Sequence, residues 1–93
     1  MPYIKPQLRD KVKDEIVRLI YKIDGTNVED REGLMTYIIY KLLVETYGYS
    51  DDVPKWNKRA EALKVLESAK LEYYRRIMAP YEDKAIQRNG DIL

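Results

Sequence analysis

Cysteine, histidine and phenylalanine are all missing from this 93-residue chain. Without cysteine there is no disulfide framework, no thiolate nucleophile and no thiolate metal site. Without histidine the common zinc-ligand sets and the Ser-His or Cys-His dyads are excluded as well. Hydrolytic chemistry would have to rest on carboxylates, lysine or tyrosine, or on magnesium held by oxygen ligands. No apolar run approaches the roughly 18 residues that a membrane span needs. The opening Met1-Pro2-Tyr3-Ile4-Lys5-Pro6 has no apolar segment of the signal-peptide kind. Excess charge of one sign is missing too, with 17 Lys and Arg against 16 Asp and Glu. That balance argues against a wholesale polyanion binder, so nucleic acid is not the expected partner, although a local basic patch is compatible with it.

What is present reads as one all-α domain over residues 1–93, a small bundle of three main helices plus a short C-terminal helix. Leu8, Val12, Ile16, Leu19, Ile20 and Ile23 recur at helical spacing and predict a first helix over Pro6–Asp24. Pro6 suits its first turn, and Gly25 suits a left-handed cap at its end. After a loop at 25–31, with Asp30 or Asn27 as the expected N-cap, a second helix is predicted over Glu32–Tyr47. Its apolar residues cover most of the circumference, as in a central helix or one packed on another subunit. Gly48 supplies the stop.

Ser50, Asp51 or Asp52 can cap a third helix, with Pro54 in its first turn, that runs to Ala79. Proline disfavours helical geometry in the residue before it, so a break is expected at Ala79-Pro80. A short fourth helix then runs from Pro80 to about Arg88, stopped by Asn89-Gly90 and followed by a tail whose Ile92 and Leu93 are available to dock. Charge is uneven along the chain: residues 1–23 hold six basic and three acidic groups, residues 24–52 two and seven. Such asymmetry keeps antiparallel helices soluble, or pairs segments across two subunits.

The strongest chemical constellation lies near the expected break. Glu72, Arg75 and Arg76 share a helix face, with Tyr73 and Tyr74 between them and Tyr81, Glu82 and Asp83 just beyond. Guanidinium groups pair bidentately with phosphate and aromatic rings stack on bases, so Arg75, Arg76 and Tyr81, with Tyr73 or Tyr74 stacking, are the candidate ligand-binding residues. The competing reading has both arginines bridging to Glu72, Glu82 or Asp83 as a structural lock. Glu61, Glu67 and Glu72 are spaced by six and five residues, which scatters them around the helix and speaks against a magnesium site. Nine tyrosines, four of them at 37, 40, 47 and 49, suit either a core with outward hydroxyls or an interface. Trp56 reads as a core or interface anchor, and Lys55, Lys58 and Arg59 as a small basic patch.

Two segments carry a resemblance: Met1-Pro2-Tyr3-Ile4 at the start, and Leu66 to Asp91, with Tyr74-Arg75-Arg76, Ala79-Pro80-Tyr81-Glu82-Asp83 and Asn89-Gly90-Asp91. The chain resembles an uncharacterised family of short helical proteins common in tailed-phage and prophage genomes. That resemblance implies a phage context in the cytoplasm of the bacterial host and transfers no catalytic residue. The expected function is a non-enzymatic, homo-oligomeric binding protein that neutralises a host defence component, either a protein or a small anionic signal such as a cyclic nucleotide. No cofactor is expected. The alternatives are a magnesium-dependent nucleotide-processing enzyme and an accessory protein of phage DNA metabolism.

Overall fold

The computed structural model describes residues 3–48 and 55–93, with side chains described from Lys58 onward in the second stretch. Among these residues there is no strand, and the chain is all-α. The elements are α1 (Pro6–Asp24), α2 (Val28–Tyr47), α3 (Lys55–Tyr73), a π turn (Tyr74–Met78) and α4 (Ala79–Asn89). They group into two compact units, residues 3–62 and 63–93. The expected caps at Ser50, Asp51 and Asp52, Pro54, Tyr49 and the Trp56 side chain lie outside the described residues.

In the first unit, α1 spans the expected residues with Pro6 in its first turn. Gly25 closes it in the right-handed region, at φ −76° and ψ −5°, rather than in the expected left-handed cap. Carbonyls at the end of α1 and in the three-residue loop before α2 are met by side chains. Thr26 Oγ1 donates to the Lys22 carbonyl at 2.9 Å. Arg31 reaches back from α2, its Nε donating to the Thr26 carbonyl at 3.0 Å and its Nη2 to the Asp24 carbonyl at 2.8 Å. A cation on the carbonyl end of a helix is favoured by both the hydrogen bonds and the helix dipole.

The second helix starts at Val28, a full turn before the expected Glu32, with Asn27 in the cap position. Val28, Glu29 and Asp30 carry no inward apolar pattern, so periodicity did not reveal that turn. The acidic pair suits the positive end of the helix. Gly48 ends α2 at φ +83°, a conformation that favours glycine.

In the second unit the expected break at Ala79-Pro80 is absent. Ala79 keeps helical angles, φ −60° and ψ −46°, and the helix continues through Pro80 to Asn89. A proline inside a regular α-helix has no N–H to donate, and its ring collides with the carbonyl four residues back. Here the Ala79 N–H bonds to the Tyr74 carbonyl, five residues back, which widens the turn and relieves that collision. The tail does not dock: Ile92 and Leu93 are fully exposed.

No described residue is buried in either unit. The Arg31 bonds are therefore a large part of what closes the α1–α2 turn. Arg31→Ala is expected to lower stability by about 1–3 kcal/mol, the range for hydrogen bonds from a charged donor, in urea unfolding followed by circular dichroism. An unchanged midpoint would show that the latch is idle.

Candidate functional site around the π turn

The widened turn decides where the candidate residues stand. Glu72 and Tyr73 occupy the last turn of α3, Tyr74, Arg75 and Arg76 the π turn itself, and Tyr81 the start of α4. Residues three and four apart share a helix face, so both arginines come back over Glu72. Arg75 Nη2 donates to Glu72 Oε1 at 2.7 Å, and Arg76 Nε donates to the same oxygen. The Glu72 side chain is 22% exposed, whereas those of Arg75 and Arg76 are 63% and 58% exposed. One half-buried carboxylate thus anchors two solvent-facing guanidiniums.

Tyr73, Tyr74 and Tyr81 are all exposed, the three rings lying within two helical turns of the arginine pair. The Glu82 carboxylate near the Tyr74 phenol, by favouring its protonated form, pushes the Tyr74 pKa above the ordinary 10.0, with desolvation and the charge of Asp83 acting in the same direction. Sequence spacing linked Glu82 to the arginines and not to Tyr74.

Chemically, planar guanidiniums that face solvent offer a fork geometry that matches phosphate oxygens. The flanking rings offer faces for a base to stack on. The negative charges of Glu82 and Asp83, at the start of α4, oppose an anion there. Among the described residues no group of three or more acidic side chains converges to hold a metal ion. The basic patch keeps Lys58 and Arg59 exposed on α3, and the Lys55 side chain lies outside the described residues.

A family model described as "Domain of unknown function (DUF6899)" matches residues 1–92. The chain belongs to the DUF6899 family. No curated protein and no solved structure matches it. The match in DUF6899 takes in both the opening segment and the whole α3–π turn–α4 region, so the arginine pair and its tyrosines lie inside the family's domain.

A phenol whose pKa is raised in the folded state contributes stability below pH 10, and that contribution fades as the pH climbs through the raised value. The expected outcome is an ultraviolet titration in which the difference between the DUF6899 chain and its Tyr74→Phe variant is centred above pH 10. Glu82→Gln should move that component downward. A difference curve centred at or below the ordinary phenol value would show that Glu82 is not at the Tyr74 hydroxyl.

Proposed function

We propose that this DUF6899 chain is a non-enzymatic, phage-type binding protein. It works as a homo-oligomer in the cytoplasm of the bacterial host, neutralising a defence component by sequestering a small anionic nucleotide signal. The observation that supports this reading is the pair of solvent-facing guanidiniums held on Glu72 at a π turn, with exposed tyrosine rings beside them. π turns within helices are frequently found at functional sites. In the proposed complex Arg75 and Arg76 hold the phosphate, Tyr81 contributes its hydroxyl or ring, and Tyr73 or Tyr74 stacks on the base. Glu72 competes with the anion for the arginines, so it sets how tightly the anion is held.

The phage context is carried by the resemblance in the opening and closing segments. The magnesium-enzyme alternative lacks a converging acidic group among the described residues. The DNA-metabolism alternative is disfavoured by the near-neutral charge balance.

Titration calorimetry of the full chain against a panel of cyclic mono- and dinucleotides tests this reading. The Arg75→Ala/Arg76→Ala double variant should lose binding, by about 100-fold or more from two charge-assisted contacts, with its helical circular dichroism intact. Glu72→Gln should bind several-fold more tightly, since it removes one carboxylate charge that competes with the anion for both arginines. No binding by the parent chain, unchanged binding in the double variant, or product formation with magnesium would each overturn the proposal.

A further inference from the structure

Glu82 stands close to the arginine corner and has little to do for the helix that carries it. An acidic residue inside a helical segment ordinarily faces a free helix start or answers a cation three or four residues away. Met78 and Ala79 hold helical angles, so the helix runs on from the π turn through Pro80 with no free end for Glu82 to face. Its neighbours at three and four residues are Met78, Ala79, Ala85 and Ile86, none of them a cation. Among the described residues Glu82 makes no ion pair, and it is exposed. The group it lies near is the Tyr74 phenol, on a ring that is itself 51% exposed.

We infer that Glu82 selects the base of the bound nucleotide, and that this base is guanine. The inference rests on the proposed anion site and deepens it by naming the substrate class. Tyr74 connects the two ends of the site: Arg75 follows it in the chain, and the Glu82 carboxylate lies near its phenol. Arg76 and Glu82 are six residues apart, about 9 Å along a helix. That is the scale from the phosphate of a nucleotide to the far edge of its base. With the phosphate on the guanidiniums and the base on the Tyr74 ring, the base edge comes to the carboxylate, which only accepts hydrogen bonds. Guanine sets its N1–H and 2-amino group side by side, two parallel donors for two oxygens. Adenine and cytosine place a ring-nitrogen lone pair beside a single amino group, and uracil flanks its one N–H with two carbonyls. Each of these turns an acceptor onto the Glu82 charge. The same charge repels the phosphate, which fixes the way round that the nucleotide lies.

The experiment is titration calorimetry of the full chain with cyclic GMP, cyclic IMP and cyclic AMP, and with cyclic di-GMP against cyclic di-AMP. Within each set the sugar and phosphate are the same and the base edge differs. Guanine ligands should bind about 10-fold or more tightly than adenine ligands, the scale of one bidentate pair. Cyclic IMP, which keeps N1–H and lacks the 2-amino group, should fall between. Glu82→Gln should weaken the guanine ligands until the preference is gone and leave cyclic AMP within a few-fold, whereas a merely structural role would weaken all of them alike. Should that variant lose its helical circular dichroism, Tyr74→Phe supplies the second reading. It keeps the ring, removes the hydroxyl that competes for the carboxylate, and should hold or sharpen the preference. A chain that binds none of the five ligands overturns the anion reading and the base assignment with it. Binding without a guanine preference, a preference that survives Glu82→Gln, or one that Tyr74→Phe abolishes overturns the base assignment alone and leaves the arginine site standing.

Discussion

Pro80 is the constraint from which the candidate site follows. A residue without an N–H, placed inside a helix that continues on both sides, leaves two outcomes: the helix breaks, or the turn before it widens. The bond from Ala79 N–H to the Tyr74 carbonyl shows the second. Widening shifts the register of everything after it. Arg75 and Arg76, inside the widened turn, still fold back over Glu72 at the end of α3. The lock and the proposed binding corner are therefore the same set of atoms. Glu72 fixes the direction of both guanidiniums, and their exposure leaves them in reach of an outside anion.

A second constraint is the shortage of interior. Each helix meets too few neighbours to bury a side chain below the level of a true core, and none of the described residues is buried. Small domains are marginal for this reason, and association is a common remedy. Local devices carry the remaining burden: Arg31 on the α1 carbonyls, Lys41 on Glu45 at 3.0 Å, and a positive-φ glycine at each of the α2 and α4 ends. Exposed i,i+4 ion pairs add only a few tenths of a kcal/mol each.

Much of the helical layout was legible before any coordinates. The strict recurrence from Leu8 to Ile23 marked α1 to its ends, and Gly48 and Gly90 marked the ends of α2 and α4. The first turn of α2 was not legible, because Val28 to Arg31 face solvent or the loop and carry no apolar rhythm. The break at Pro80 was misread because the rule for residues before proline describes regular turns and says nothing of a turn with five-residue bonds. The arginines' approach to Glu72 followed from spacing alone. Periodicity identified the α1 face but not its cover, since an apolar stripe looks the same whether it meets its own chain or another.

The account rests on the arginine pair at the widened turn receiving an anion from outside the chain. The most direct measurement is an NMR titration of the full-length protein with a cyclic dinucleotide, following the Nε–H signals of Arg75 and Arg76 together with the ring protons of Tyr73, Tyr74 and Tyr81. The account predicts saturable shifts at both guanidiniums and at one or more of these rings. Guanidinium signals that stay fixed while shifts appear elsewhere, or that stay fixed with no shifts at all, would contradict it.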